Sequence, residues 1–164
     1  FVEAEKAIKE KIPKLEHING KHCVDSIHKK VGHIMWEFLR MARTKESLEK
    51  ALKEIKEVKK EFWSDVRMPG DVDDLSIELE KALRLDDFIE VGMLMALDGL
   101  NRNESCGGHF REEYQTPEGE ALRDDEHYSY VACWKYTGED KEPELIKEPL
   151  NYEFKKVQTR NYKA

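Results

Sequence analysis

"SIHKKVGHIMWEFLRMARTKESLEKALKEIKEVKKEFW", residues 26–63, decides the fold. Ile27, Val31, Ile34, Met35, Phe38 and Ala42 recur at steps of three and four, the apolar stripe of an amphipathic helix. Asp25 or Ser26 can cap it. Thr44 then caps a second helix, striped by Leu48, Ala51, Leu52, Ile55, Val58 and Phe62. Its outer face carries Glu46–Lys50 and Glu49–Lys53 at the favourable i,i+4 spacing. Two stripes in succession with a short connection predict antiparallel helices sharing one core.

The flanks extend this pattern. Val2 to Ile12 reads as a short helix halted near Pro13, with "HING" (17–20) as the turn after it. "MPGD" (68–71) breaks the chain on the other side. From Asp74 to about Arg102 a long helix is striped by Leu75, Leu79, Ala82, Ile89, Met93, Ala96, Leu97 and Leu100, and Asp86 interrupts the stripe at a candidate kink. A second apolar edge of Leu83, Leu85, Phe88 and Met95 predicts burial on two sides. Beyond residue 104, Gly107-Gly108, Pro117, Gly119 and acidic tracts predict irregular structure. "YSYVACWKY" (128–136) and, more weakly, "LNYEFKKV" (150–157) alternate with period two and predict a β-hairpin or two extended strands. The expected architecture is mainly α. An antiparallel three- to four-helix bundle over residues 1–103 is followed over 104–164 by a charged, irregular, partly β tail.

With 164 residues, the chain can bury one real core. A net charge of −7 argues against nucleic acid as the main partner, because phosphate binding needs a basic face. The longest apolar run, Val91 to Leu97, falls far short of the roughly 20 residues that cross a bilayer. The charged, amphipathic opening FVEAEKAIKE is not the pattern of a signal peptide. Because it opens on Phe1 already in helical rhythm, the chain is expected to be a piece of a longer polypeptide. Cys23, Cys106 and Cys133 are odd in number and widely spaced, which fits reduced thiols in a cytosolic setting.

Three kinds of chemistry compete for the polar residues. A bundle di-iron site needs several inward Glu with repeated ExxH pairs. Here Asp25-x-x-His28 stands alone, so His17, His22, His28 and His33 read as surface or capping residues. Cys106 near His109 suggests a thiolate–imidazole pair, but Gly107-Gly108 need only supply an unusual backbone path. The third candidate is a docking surface. In "NRNESCGGHFREEYQTPEGEALRDDEHY" (101–128), Arg102, Arg111 and Arg123 alternate with Glu104, Glu112, Glu113, Asp124 and Asp125. Guanidinium forks suit bidentate carboxylate pairs at protein–protein and interdomain contacts.

That same run resembles the C-terminal region of the flavoprotein subunit of succinate dehydrogenase and fumarate reductase. The family signature Arg-x-Glu-Ser-Arg-Gly-x-His-x-Arg-x-Asp, then Arg-Asp-Asp, is matched by Arg102, Glu104, Ser105, Gly107, His109, Arg111, Arg123, Asp124 and Asp125. "SIHKKVGHIMWEFLRMARTKESL" (26–48) is similar to the family's Met-Trp … Gly-Met-Ala-Arg helix and turn, and "RNYK" (160–163) to its usual ending. Cys106 stands where most members carry Arg, and Glu113 where Asp is usual, which resembles one bacterial, Cys-Gly-Gly branch.

The resemblance implies a parent enzyme that interconverts succinate and fumarate. Electrons would pass through FAD to an iron–sulfur subunit and on to quinone, with the flavoprotein peripheral on the cytoplasmic face of the bacterial membrane. The flavin and dicarboxylate residues of that family lie upstream of the region matched here, so no catalytic, cofactor-binding or metal-binding residue is assigned to this chain. By the same resemblance Arg102, Glu104, Ser105, His109, Arg111, Arg123, Asp124 and Asp125 form an interdomain strap to the flavin domain. Arg111 and Asp124 are then expected to be solvated in this chain alone. A free-standing helical adaptor without redox activity is the alternative reading.

Overall fold

A computed structural model describes residues 1–69, 76–138, 141–155 and 157–158. Helix α1 spans Val2–His17, strand β1 His22–Cys23, α2 Val24–Phe38, β2 Ala42–Arg43, α3 Lys45–Asp65 and β3 Val66–Arg67. Helix α4 (Ile77–Asn101), β4 (Phe110–Arg111), the short α5 (Asp125–Tyr128), β5 (Tyr130–Lys135) and β6 (Glu144–Pro149) follow. The expected start at Asp74 and the stripe position Leu75 lie outside the described residues, as does "RNYK" (160–163).

Three helices make the core. Val24, Ile27, Val31 and Ile34 of α2, Leu48, Ala51, Ile55, Val58 and Phe62 of α3, and Ala82, Leu85, Ile89 and Ala96 of α4 are buried together. The order of neighbours fixes direction. A methyl-sized group at Gly99 would touch Leu48 and one at Gly92 would touch Ile55, and further along Lys59 pairs with Glu90 and Trp63 with Asp86. Helices α3 and α4 therefore run antiparallel. Lys30 and His22 reach Glu61 from the α2 side, so α2 is antiparallel to α3 as well.

Thr44 caps α3 as its sequence predicts. The Ser47 N–H donates to Thr44 Oγ1 at 3.0 Å and the Thr44 N–H to Ser47 Oγ at 3.0 Å, a reciprocal capping box. The start of α2 differs from expectation. It begins at Val24 behind Cys23, because β1 pairs in parallel with β3 and fixes the backbone there. Ser26 Oγ donates instead to the Cys23 carbonyl at 2.8 Å, and Asp25 pairs with Lys81. The stripe of α2 also ends sooner, since Ala42 is exposed in β2 while Leu39 is buried. On the outer face of α3 the pairs that close are Lys45–Glu49 at 3.8 Å and Lys50–Glu54 at 3.9 Å, rather than Glu46–Lys50 and Glu49–Lys53.

Helix α1 does not halt at Pro13 but continues to His17. Proline removes one hydrogen bond, yet Leu15 beyond it is fully buried, so packing holds the last turn. The His17 ring donates from Nδ1 to the Pro13 carbonyl. Gly20 closes the following turn by lying against α3. A Cβ there would stand 1.9 Å from the Asp65 carbonyl oxygen, and its N–H donates to Val66 O at 3.1 Å.

Asp86 does not break α4, which is one continuous helix. It is buried because it points at partners: Trp63 Nε1–H donates to it at 3.0 Å and Lys11 of α1 pairs with its second oxygen. The second apolar edge is corrected too. Leu85 is buried and Leu83 packs against the core, but Phe88 and Met95 remain exposed. In the tail, β5 forms as expected, but its antiparallel partner is Glu144–Pro149 rather than residues 150–157. Trp134 Nε1–H donates to Asp98 at 3.0 Å and fastens one face of β5 to α4, whereas Tyr152 and Phe154, whose rings made 150–157 look strand-like, stay exposed.

Ile34, Ile55 and Ala96 all sit in the shared core. Replacing any of them with Asp places an unpaired charge there and is expected to remove several kcal/mol of a total of about 5–15. Chemical denaturation should show midpoints far below that of a Lys56→Ala control on the exposed face of α3. Normal midpoints for all three would overturn the assignment of the buried face.

Candidate functional site

Helix α4 ends at Asn101 with carbonyls that need donors and with no basic residue in its own last turn. The charged segment supplies both. Arg102 N–H bonds to Asp98 O, and Arg111 Nη1–H donates to Gly99 O at 3.0 Å. A guanidinium on the carbonyl end of a helix also meets the negative pole of its dipole. Arg111 Nε–H reaches Glu113 Oε2 at 3.1 Å, and its guanidinium lies 5.4 Å from the Tyr114 ring centre. This arginine is only 2% exposed.

Ser105 is buried and locks the backbone of Arg111 in both directions. Its Oγ accepts from the Arg111 N–H at 2.8 Å and donates to the Arg111 carbonyl at 3.1 Å. The short parallel ladder of β2 and β4 places Ala42 beside Phe110 and Arg43 beside Arg111. Glu113 then accepts from the N–H of Lys45, the first residue of α3. Burial pushes the Glu113 carboxyl up, but the Lys45 N–H and the Arg111 guanidinium outweigh it and hold the group below the usual carboxylate range.

Arg102 ties the same segment to β5. Its Nη1–H donates to Glu104 Oε1 at 2.9 Å and to Tyr128 O at 3.3 Å, and Nη2–H to Tyr130 O at 3.0 Å. The buried Glu104 uses its other oxygen to accept from the Asp124 N–H at 3.0 Å. Arg123 and Asp125 form a separate pair facing outward, and Asp124 caps α5 by accepting from the His127 N–H at 3.2 Å.

His109 closes a two-residue turn with Cys106, in which Gly107 takes φ +58°. Its Nε2–H donates to the Arg102 carbonyl at 3.0 Å, which leaves Nδ1 to accept from Arg43 Nη1–H at 3.2 Å. That arrangement needs the neutral ring. Burial lowers the imidazole below its ordinary value; the bond to Arg102 opposes this, while the guanidiniums of Arg43, Arg111 and Arg102 add to the fall.

The expectation that Arg111 is solvated is thereby corrected, while the Asp124 side chain stays 39% exposed. Glu104, Ser105 and Arg111 are buried within this chain itself: Arg111 donates to the end of α4, Ser105 holds the Arg111 backbone, and Glu104 accepts from Arg102 and the Asp124 N–H. Arg102, Glu104 and His109 are joined by hydrogen bonds, with Asp124 entering through its N–H; Ser105 and Arg111 form a second cluster, and Arg123 pairs with Asp125. Sequence reading did not assign Arg43, Gly99 and Tyr114 to either cluster. The step from Ala42-Arg43 to the cap at Thr44 was the available signal for Arg43.

The other polar candidates have structural partners: His22 lies 3.5 Å from Glu61 and Asp65, and His28 stacks on Phe88 with ring centres 5.4 Å apart. Among the described residues no group of three or more His, Cys, Asp and Glu side chains could hold a metal ion. A shallow cleft of about 550 Å³ runs between α4 and β5, lined by Val91, Met95, Asp98, Arg102, His109 and Trp134. Three of its polar side chains are engaged within the chain: Asp98 with Trp134, Arg102 with Glu104 and two carbonyls, His109 with the Arg102 carbonyl and Arg43.

Two outcomes follow for stability. Arg111→Ala should cost about 2–4 kcal/mol and Ser105→Ala about 1–3, since each strands buried backbone or carboxylate groups. Arg111→Lys should recover only part, because one ammonium cannot reach both Gly99 and Glu113. Denaturation midpoints check this, and an Arg111→Ala chain within about 0.5 kcal/mol of wild type would overturn it. For His109, the free imidazole titrates near about 6.5 and the folded one lower. Between those values only the unfolded chain holds the proton, so the contribution of His109 is complete above about pH 6.5 and is lost as pH falls through the folded value. The stability difference between wild type and His109→Gln should therefore shrink as pH drops from about 7.5 to 5.5. A constant difference would mean that the ring is not held neutral.

The chain is similar to known proteins along most of its length. A family model described as fumarate reductase flavoprotein C-term matches residues 28–162. An uncharacterized FAD-dependent oxidoreductase of Methanocaldococcus jannaschii is 25% identical over 113 residues, which is 69% of this chain and 20% of that protein. A chain of E. coli quinol fumarate reductase superimposes with a TM-score of 0.72 at 22% identity, over 96% of this chain and 26% of its own. A quinol-fumarate reductase with menaquinol molecules gives a TM-score of 0.77 at 22% identity, over 94% of this chain and 26% of its own. The chain thus spans about a fifth of the curated relative and about a quarter of the solved ones. It belongs to the family of fumarate reductase flavoprotein C-terminal domains.

Proposed function

We propose that this chain is the C-terminal helical domain of a longer, FAD-dependent flavoprotein subunit that interconverts succinate and fumarate. Electrons pass from its flavin to an iron–sulfur subunit and then to quinone. In this reading the helical bundle of residues 1–103 is a scaffold. The tail from residue 104 onward packs on it and on the flavin domain, and Arg102 to Asp125 act as the strap between them. One observation carries the reading: nearly the whole chain, 96%, superimposes on about a quarter of a quinol fumarate reductase chain. By the same resemblance, flavin and dicarboxylate belong to the upstream domains. No helix among the described residues is long and apolar enough to cross a membrane. By the same resemblance the subunit would sit peripherally, on the cytoplasmic face of the bacterial membrane, held there by its partner subunits.

The test compares this chain alone with the whole polypeptide from its reading frame. The whole protein should be yellow and reduce dye with succinate, and the chain alone should do neither. A whole protein without flavin would favour the free-standing adaptor, and a yellow, active 164-residue chain would overturn the scaffold role. Within the strap, Arg111→Ala should harm both forms. Asp125→Ala, which removes an exposed partner of Arg123, should change the melting of the chain alone by no more than about 1 kcal/mol and should weaken flavin retention in the whole protein.

A further inference from the structure

Helix α1 is tied to the bundle far less firmly than the residues that follow it. Of its 16 residues Leu15 is the buried one, and Val2 to Glu10 are all exposed. Among the described residues every other buried member of the core lies at Val24 or beyond. Directly after α1 the chain changes character. Gly20 N–H donates to Val66 O at 3.1 Å, Lys21 N–H donates to Asp65 Oδ1 at 2.9 Å, and His22 and Cys23 pair with Val66 and Arg67. Residues 20–23 are therefore part of the bundle.

On its own side α1 is closed as a unit. Ile18 N–H bonds back to Leu15 O, and the pairs Lys9–Glu5 and Lys6–Glu10 lie within the helix. Between unit and bundle stand Ile18, whose extended backbone ends the helix, and the exposed Asn19. The ion pair that crosses from α1 to α4 is Lys11–Asp86. Two displacements of α1 are then unequal. Sliding it along α4 keeps Asp86 covered while taking its cation away, whereas lifting it off returns both charges to water. Trp63 Nε1–H can go on donating to Asp86 in either case. Lifting also uncovers little apolar surface, and elements with few buried apolar contacts open well below the free energy of global unfolding.

We propose that α1 is a hinged arm: it lifts off the α2–α4 bundle as one unit about Ile18 and Asn19, and Lys11–Asp86 is the latch that holds it closed. The device is set by contacts inside this chain and is independent of the redox chemistry. It has two positions, docked or free, because the placements between them leave Asp86 covered without its cation.

Hydrogen exchange followed by mass spectrometry on the whole polypeptide tests this. A released 16-residue helix is marginal in water, so release appears as exchange. Peptides covering residues 7–11 and 12–17 should share one protection, at least about a hundredfold below that of residues 51–62 in α3. Lys11→Met keeps the aliphatic stem and removes the ammonium. It leaves Asp86 unpaired only while α1 is docked, so it should speed exchange across α1 by at least about tenfold and leave α2, α3 and α4 unchanged. Adding Asp86→Asn removes the stranded charge and should return α1 most of the way to wild-type protection. No recovery would mean that Lys11 acts through packing alone and would overturn the latch. Protection that falls off gradually from Val2 inwards would be fraying of a helix end and would overturn the hinge. An α1 protected as well as α3, or a Lys11→Met variant that speeds exchange in all four helices alike, would make α1 an integral part of the core and overturn the proposal as a whole.

Discussion

The carbonyl end of α4 is the constraint on which the second half of the chain depends. A 25-residue helix that stops at Asn101 leaves its last carbonyls without intrahelical donors, and Gly99 among them is buried. Arg111 answers that need from ten residues further on, and everything between must be shaped to bring it back. The Cys106–His109 turn reverses the chain, Ser105 grips the Arg111 backbone, and the β2–β4 ladder aligns it with the α2–α3 junction. The guanidinium is then worth more than an ion pair, because its desolvation is offset by a carbonyl, a carboxylate and an aromatic face at once.

The same logic explains why three arginines can crowd one histidine. Arg43, Arg102 and Arg111 each have oxygen acceptors of their own, so His109 is left to bridge a carbonyl and a guanidinium edge as a neutral ring. A protonated ring would place Nδ1–H against Arg43 Nη1–H with nothing between them. The turn is thus held by a ring that burial, and after it the three guanidiniums, keep neutral.

Helices were legible in the sequence and the network was not, for one physical reason. Periodicity reports which side of an element faces apolar neighbours, and the stripes Leu48–Phe62 and Ile27–Ile34 are buried as read. It carries no information about which polar groups meet. Asp86 broke a stripe and so suggested a kink, yet Trp63 and Lys11 accommodate it in place. Arg111 looked solvated because charged loops usually are, and an unmet carbonyl of α4, invisible to pattern reading, draws it inside. The mispaired β6 has the same origin: Tyr152 and Phe154 carried the alternation, but pairing followed the loop that lets Leu145 lie opposite Trp134.

Helix α1 shows what such polar contacts do when the core is thin. Leu15 is its one fully buried residue, which is too little apolar contact to fix how the helix lies along α4. Lys11 meets the buried Asp86 and passes 5.9 Å from the centre of the Trp63 ring, while Trp63 itself bonds to the same carboxylate. An ion pair largely removed from water contributes little net stability, because desolvation cancels most of the attraction. It is intolerant of displacement, however, since sliding α1 by one turn would strand Asp86. Lys11, Trp63 and Asp86 therefore act on register: they select one placement of a weakly packed helix from several that its apolar surface would accept about equally well.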